Sequence, residues 1–270
     1  MGMTEYEDSG NILTDKREIA TSETWESQTD WEAYQSINNI EIENGIISLS
    51  TSDAAAIPEN VVDNFEDSDA DPPGVYDEGE TIYDYYSGDS DFSRSETVTL
   101  DGSYSLKLPY DSGLRIYSLE GDGLNRYPVK GEVFSCYFYS TGGKPIWLFG
   151  VDFDGGVDGY LAYNEPSDDN ARIAKLAGDE FTELAASSVS YNENEWYESE
   201  IEWHDGSGSE PDNTIVYNLY EIDSELNRTD LLVTLSTTDS DFADNSGIGF
   251  RTARSDDAFV DRYTVLGDVE

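Results

Sequence analysis

The feature that most constrains the fold is a series of short strand-like segments that runs from Val61 to the end of the chain. Turn residues such as Asp101-Gly102, Gly142-Gly143 and Gly155-Gly156 separate these segments. We predict strands at residues 97–100, 104–108, 132–139, 146–151, 160–163, 172–176, 196–203, 215–222, 231–235, 247–251 and 259–266. No long amphipathic helix is visible, and we expect at most a turn or two of helix at residues 180–186. Many short antiparallel strands predict an all-β sandwich or barrel.

Two kinds of apolar pattern distinguish the predicted strands. In residues 196–204 every second residue is glutamate until His204, which predicts a strand with one solvated face and one buried face. Residues 132–139 and 146–151 are apolar on both faces. We expect them to be central strands covered from both sides, or strands that line a groove.

The first 60 residues differ from the rest and form a predicted anchoring or oligomerisation arm, followed by one domain over residues 61–270. Within the arm, Asn44-Gly45 separates two alternating apolar runs in residues 40–50, which predicts a β-hairpin with a tight turn. An isolated hairpin is marginally stable, so it needs the main domain or further copies of itself to pack against. The arm resembles the anchoring segments of tailed-virus structural proteins.

The charge of the chain indicates its environment. There are 59 acidic and 14 basic side chains, for a formal net charge of -45, yet 37% of residues are hydrophobic and 13% aromatic. The aromatic content argues against disorder. A folded domain this acidic repels itself in dilute buffer, and molar salt removes that repulsion, so we expect a hypersaline environment. Binding to nucleic acid needs clusters of basic residues, which are missing here.

Other features exclude further classes of protein. Cys136 is the single cysteine and lies in an apolar run, so we expect a buried structural thiol and no intrachain disulfide. The chain starts without an apolar signal segment, and no stretch has the ~18 apolar residues of a membrane span. We therefore expect a protein that stays inside the cell, is released by lysis, or is carried on a particle assembled in the host cytoplasm.

The order of motifs from residue 61 onward resembles a known family. The motifs are VVDNFED at 61–67, DGSYSLKL at 101–108, Gly159-Tyr160, NEWYESEIEW at 194–203, GIGFR at 247–251 and FVDRYTV at 259–265. This order is similar to that of concanavalin A-like lectin and laminin-G jelly rolls. The resemblance implies an antiparallel jelly-roll sandwich. Domains of this kind include lectins, adhesins, virion proteins and glycosidases, so the fold by itself does not define a function.

The same resemblance implies a structural calcium ion. Related jelly rolls often share one between an acidic residue of the first strand and an aspartate of the last, and the matching residues are Glu66 and Asp261. A second candidate calcium site is the loop that carries Asp152, Asp154 and Asp158, although it lacks the final glutamate of an EF-hand. In so acidic a chain the alternative for both sites is solvated surface carboxylates.

Aromatic residues are the candidate ligand-binding groups, since sugars stack on aromatic rings. On the strands, Tyr137, Tyr139 and Trp147 either face a groove or pack in the core. In the Tyr-rich segment, Tyr83, Tyr85 and Tyr86 form an exposed loop that serves either as a ligand contact or as a subunit interface.

One motif in the sequence bears on whether the chain is an enzyme. Glu221, Asp223 and Glu225 match the spacing of carboxylates in jelly-roll endoglucanases, where a strand places them on one face. Here the strand is predicted to end near Ile222, so these carboxylates should spread over a hairpin tip, and we expect no enzyme. We expect His204 to be an exposed loop histidine, and Asn227-Arg228-Thr229 is a glycosylation sequon in an exposed loop.

These observations lead to one functional hypothesis and one alternative. The hypothesis is a virion-surface protein of a haloarchaeal tailed virus, in which the arm contacts other virion proteins in a homo-oligomer. Its lectin-like module would decorate the particle or attach it to a host cell-surface glycan or glycoprotein. The alternative is a stand-alone haloarchaeal carbohydrate-binding protein or a jelly-roll glycoside hydrolase.

Overall fold

The computed structural model describes residues 39–43, 46–50, 61–65, 83–86, 92–108, 115–153, 156–165, 168–178, 180–253 and 256–269. The chain divides into two compact units, Met1–Glu59 and Asn60–Glu270. Within the described residues no helix is long and apolar enough to cross a membrane.

The first unit contains the hairpin that the sequence predicts. Strand β1 (Asn39–Glu43) pairs antiparallel with β2 (Ile46–Ser50), and Glu43 lies opposite Ile46. This register leaves two residues for the turn, as the Asn44-Gly45 signal predicts. The turn itself lies outside the described residues.

The second unit is built from short antiparallel strands. Their bounds are β3 (Val61–Asp63), β4 (Asp84–Tyr86), β5 (Ser93–Ser95), β6 (Ser105–Leu108), β7 (Arg115–Ser118), β8 (Glu132–Ser140), β9 (Lys144–Phe153), β10 (Val157–Glu165), β11 (Asn170–Ala177), β12 (Glu180–Ser188), β13 (Trp196–Trp203), β14 (Thr214–Ile222), β15 (Arg228–Thr238), β16 (Gly247–Ala253) and β17 (Ala258–Asp268).

These strands form two sheets in a jelly-roll sandwich. One sheet has the order β12-β11-β10-β9-β16-β7-β4, and the other has the order β15-β14-β13-β8-β17-β6-β5, with β3 paired to β17. The chain passes repeatedly from one sheet to the other, for example from β8 to β9 and from β16 to β17. The predicted all-β antiparallel fold is confirmed.

The core lies between the two sheets and is rich in aromatic rings. Trp147, Phe149 and Tyr160 come from one sheet, and Phe134 and Trp203 come from the other. Neighbouring rings meet mostly edge to face; the centroids of Phe134 and Trp147 are 5.3 Å apart, and those of Phe149 and Trp203 are 5.6 Å apart. Strands β8 and β9 are central in their sheets, as their two apolar faces predict.

Two local predictions are wrong. Residues 180–186, expected to form at most a turn or two of helix, belong to the edge strand β12, which is paired with β11 along its length. Residues 97–100, expected to be a strand, form bends between β5 and β6. Both segments have weak patterns of their own, and their conformation is decided by neighbouring chain segments.

The alternation in β13 is confirmed on one face and corrected on the other. Tyr197, Ile201 and Trp203 face the core, as predicted. Glu198 and Glu200, predicted to be solvated, are only 3% and 6% exposed. Side chains from the neighbouring strands cover them, so the outer face of this sheet carries a buried polar network.

Candidate functional site

A surface cleft of about 390 Å³ lies where β13 begins and β14 ends. Three chain segments build it: the β5–β6 loop, the start of β13, and the β14–β15 hairpin. Its lining residues are Thr99, Leu100, Glu195, Trp196, Tyr197, Glu221, Ile222, Asp223, Ser224 and Leu226. We call it the Trp196 cleft.

Trp196 supplies the aromatic surface of this cleft. It is half-buried and lies opposite Tyr139 of β8, with ring centroids 5.4 Å apart. Tyr139 in turn lies opposite Phe259 of β17 at 5.8 Å. The three rings form a row across adjacent strands, so the indole is held in place by its neighbours.

The start of β13 is fixed by hydrogen bonds. The Asn194 amide donates to the Ser140 carbonyl at 2.8 Å, and Asn194 has a φ of 63°, which asparagine tolerates well. The Tyr197 hydroxyl donates to Glu195 at 3.2 Å and accepts from the Asn192 amide at 2.8 Å. Burial raises the pKa of Tyr197 to about 12, so its hydroxyl stays a donor. These bonds set the position of Glu195 and Trp196.

The β14–β15 hairpin forms another wall. The Asp223 carboxylate accepts hydrogen bonds from the backbone amides of Glu225 and Asn227, and Leu226 has a φ of 64°. Hydrogen bonds from Asn227 hold the pKa of Asp223 below its ordinary value, so this carboxylate is charged. The tip is thus a compact turn closed by its own side chain.

The same geometry decides how the three carboxylates of the endoglucanase-like motif are arranged. Glu221 lies on β14, opposite Asp230, whereas Asp223 and Glu225 lie in the turn and are exposed. The predicted hairpin tip is confirmed. Glu221 and Asp223 line the cleft, but Glu225 does not.

A polar network lies on the outer face of the same sheet. Arg228 of β15 donates two hydrogen bonds to Glu198, at 2.6 and 2.7 Å, and forms an ion pair with Glu200 at 2.6 Å. Asn218 and Tyr220 of β14 also donate to Glu200. Burial alone would lower the pKa of Arg228, but the hydrogen bonds to Glu198 and the nearby carboxylates raise it. The guanidinium is therefore permanently charged and fully engaged.

Asp261 holds the β5–β6 loop that supplies Leu100 to the cleft. Its carboxylate oxygen Oδ2 accepts from the amides of Leu100 and Asp101, at 3.1 and 3.3 Å. Arg262 adds an ion pair to Asp101 at 3.4 Å. Burial raises the pKa of Asp261 to about 7, although the backbone amides act in the opposite direction. Asp261 is thus a buried anchor for a loop.

The predicted calcium between Glu66 and Asp261 stays a prediction. Glu66 lies outside the described residues, and Asp261 has one buried oxygen, Oδ1, without a hydrogen-bond partner in the described part of the chain. Calcium needs six to eight oxygen ligands. No group of three or more His, Cys, Asp or Glu residues suited to a metal is found among the described residues.

The second predicted calcium site, the loop with Asp152, Asp154 and Asp158, also stays a prediction. Asp152 and Asp158 lie opposite each other in the β9–β10 hairpin, and Asp154 lies outside the described residues. Asp152 accepts a hydrogen bond from the Phe153 amide, and Asp158 accepts one from the Gly178 amide. Both carboxylates thus serve local backbone structure.

Two of the aromatic residues predicted to contact a ligand are buried in the core. Trp147 and Tyr83 have no exposed surface, so neither can stack on a sugar, and core packing describes both. The Tyr83 hydroxyl donates to Asp63 at 2.7 Å, which explains why a tyrosine expected in an exposed loop is buried. The backbone of Tyr85 and Tyr86 belongs to β4, and their side chains are outside the described set.

The remaining two predicted aromatic residues lie on the sheet that carries the cleft, and one of them contacts a lining residue. Tyr137 and Tyr139 are on the outer face of β8, where Tyr137 lies between Glu198 and Asp261 in register and is 9% exposed. Tyr139 supports Trp196 directly. The sequence analysis did not single out Trp196. In a strand, every second residue lies on the same face, so the alternation places Trp196 on the outer face with Glu198 and Glu200.

The prediction for Cys136 is confirmed, and the prediction for His204 is wrong. Cys136 is fully buried and burial raises its pKa, as expected for a structural thiol. His204 is only 3% exposed, so the expectation of an exposed loop histidine is wrong. Its backbone pairs with Thr214 and Asn213, which draws it into the sandwich.

The fold and the cleft define a jelly-roll sandwich with a small, aromatic-lined surface cleft at the end of one sheet. No protein-family model matches the sequence, and no curated protein is significantly similar to it. Among solved structures, the chain is similar to the carbohydrate binding module CBM66 from Bacillus subtilis, with 14% identity, a TM-score of 0.45, and coverage of 68% of this chain and 95% of that one.

Two further solved structures are similar to the chain at the same level. The lectin from Bauhinia forficata in complex with GalNAc has 11% identity and a TM-score of 0.43, and the match covers 78% of this chain and 97% of that one. The VIP36 exoplasmic/lumenal domain, in its Ca2+/Man3GlcNAc-bound form, has 10% identity and a TM-score of 0.43, with 70% and 86% covered. At these identities any likeness extends to the fold alone.

Proposed function

We propose that the jelly-roll unit binds a glycan in the Trp196 cleft and acts in recognition. One observation carries the proposal: a partly exposed indole is fixed in a surface cleft beside oxygen acceptors from separate chain segments. The apolar face of a sugar ring stacks on an aromatic ring, and its hydroxyls donate to carboxylates such as Glu195 and Glu221. A few polar groups around an apolar surface are typical of small-molecule sites.

The walls of the cleft are fixed before any ligand arrives. Tyr139 supports the indole, Asp223 closes the hairpin turn, and Asp261 holds the loop that carries Leu100. Groups that are already ordered lose little conformational entropy on binding, which favours affinity. This arrangement supports recognition by a rigid surface.

Hydrolysis is less well supported by the same residues. A glycosidase needs two carboxyl groups on either side of the scissile bond, one of them an acid with a raised pKa. In the cleft, Asp223 has a lowered pKa and accepts hydrogen bonds from its own turn, and Glu225 does not line the cleft. These carboxylates are placed to accept hydrogen bonds.

The test is glycan binding by the full chain and by Trp196→Ala in 3 M KCl, measured by glycan array and calorimetry. We expect the substitution to lower affinity roughly tenfold or more, because stacking on a rigid ring contributes on the order of 1.5 kcal/mol. Phe181→Ala is the matched control, since Phe181 is an exposed aromatic residue on the other sheet. Equal binding by wild type and Trp196→Ala would contradict the proposal.

We further propose that this module works on the surface of a haloarchaeal virus particle. The net charge of -45 suits molar salt, and a separate first unit, Met1–Glu59, is available to anchor copies to other virion proteins. Several copies on one particle would add weak single sites into firm attachment to a host glycan or glycoprotein. Mass spectrometry of purified virions, with light scattering of the isolated protein in 3 M KCl, tests this placement. A monomer found only in host culture medium would favour the stand-alone carbohydrate-binding alternative.

A further inference from the structure

We infer that the Trp196 cleft selects saccharides without negative charge, both neutral sugars and amino sugars, and rejects uronic acids and sulfated sugars. This inference rests on the proposed glycan binding and specifies its substrate class. The cleft and its indole define the site, while the charges of its walls define which sugars it accepts.

All the charged residues that line the cleft are acidic. Glu195 lines the cleft beside the start of β13, and Glu221 and Asp223 line it at the end of β14 and in the turn that follows. None of the lining residues is lysine, arginine or histidine. A carboxylate or sulfate on a sugar would lie against these oxygens without a cation to compensate it, whereas hydroxyl and ammonium groups would donate to them.

The nearest cation in sequence to the hairpin wall is not available to an anionic ligand. Arg228 follows the turn directly, but it donates to Glu198 and pairs with Glu200, both almost fully buried. Turning the guanidinium toward an anionic sugar would leave two buried carboxylates without their partner, which is costly. Arg228 therefore does not change the sign of the cleft.

Measurements at high salt distinguish repulsion inside the cleft from repulsion by the rest of the acidic surface. At 1 M ionic strength the Debye length is roughly 3 Å, so the field of the whole molecule no longer reaches a ligand. Groups in direct contact have no water or ions between them, and their repulsion and lost hydration persist. Discrimination that originates in the cleft must therefore survive in molar salt.

The experiment is a glycan array of the full chain in 1 M and 3 M KCl. It carries matched gluco, galacto and manno series, each as the neutral sugar, the amino sugar and the uronic acid. We expect the neutral and amino forms of the preferred series to bind at least roughly tenfold more tightly than the uronate at both salt concentrations. A uronate that binds as well as its neutral partner overturns the inference and leaves the proposed function standing.

The triple variant Glu195→Gln, Glu221→Gln, Asp223→Asn assigns the effect to the cleft. We expect it to bind the uronate within a few-fold of the neutral sugar, because the amides keep acceptor oxygens and lose the charge. The control triple Glu120→Gln, Glu180→Gln, Glu210→Gln removes the same charge at exposed positions that do not line the cleft. Equal loss of selectivity in both triples contradicts the inference, and no binding by wild type to any series contradicts the proposed function itself.

Discussion

Arg228 decides whether two glutamates of β13 can be buried. Glu198 and Glu200 alternate with core residues and so point outward, where the pattern alone predicts water. Arg228 arrives from β15, two strands away in the sheet order, and reaches both carboxylates. Asn218 and Tyr220, from the strand in between, both donate to the remaining oxygen, Oε1 of Glu200. A long cation across the sheet thus converts an expected solvated face into a closed network.

We expect Arg228→Met to lower the free energy of unfolding by roughly 3 kcal/mol, because it leaves two carboxylates buried without their cation. The value is at the lower end for buried pairs, since the Arg228 side chain is 34% exposed. Urea unfolding in 3 M KCl measures the loss. Adding Glu198→Gln and Glu200→Gln should restore part of it.

The control for this variant is the surface pair of Lys130 and Asp212, in which Asp212 is 54% exposed. Lys130→Met should change the unfolding free energy by less than about 1 kcal/mol, as usual for exposed pairs. A similar effect of both substitutions would show that the network around Arg228 contributes no more to stability than an exposed ion pair.

Two glycines of strand β16 allow the neighbouring strands to approach it closely. Gly247 lies where the register of β16 with β9 shifts, and a Cβ atom there would be 2.4 Å from the carbonyl oxygen of Val151. Gly249 is similar, with the Ile116 carbonyl at 2.6 Å from a built Cβ. The two glycines let β9 and β7 approach β16 closely, which positions the central part of the seven-stranded sheet.

Gly247→Ala should therefore destabilise the protein by about 1–3 kcal/mol, because backbone atoms on both strands must shift to admit a methyl group. Thermal and urea unfolding in 3 M KCl measure the change. Ser246→Ala, at the neighbouring and more exposed position, should stay within about 0.5 kcal/mol. If Gly247→Ala unfolds like wild type, the close approach of β9 and β16 is not a constraint on this fold.

Elements with a strong internal pattern were predictable from the sequence, and elements that depend on their neighbours were not. The doubly apolar β8 and β9 and the alternating β13 are where the pattern places them. Strand β12 has no clear alternation and is a strand because β11 pairs with it. The sequence predicts a strand at residues 97–100, and this prediction is wrong because the conformation of the loop after β5 depends on Asp261, far away in sequence.

The candidate site was predictable only in part, for the same reason. The end of β14 and the hairpin tip followed from the turn residues around Asp223. The cleft itself needs Leu100, Trp196 and Glu221 from three distant segments. The sequence offers Tyr137 and Tyr139 as ligand contacts, yet it does not tell which face of a strand with two apolar faces lies outside. Trp147, at an equally apolar position, lies in the core instead.

At the scale of the whole molecule, stability should depend on salt. The chain carries a formal charge of -45, and its folded form gathers this charge on a compact surface, whereas the unfolded chain spreads it out. At molar ionic strength the Debye length is roughly 3 Å and most of the repulsion disappears. We expect reversible folding in 3 M KCl, and unfolding on dialysis to about 10 mM, where the Debye length is about 30 Å.

Circular dichroism at stepwise KCl concentrations follows the transition, with sorbitol at matched osmolality as the uncharged control. A melting temperature that rises equally in sorbitol would indicate general solute exclusion in place of screening, and one that does not change with salt would contradict the proposed hypersaline environment.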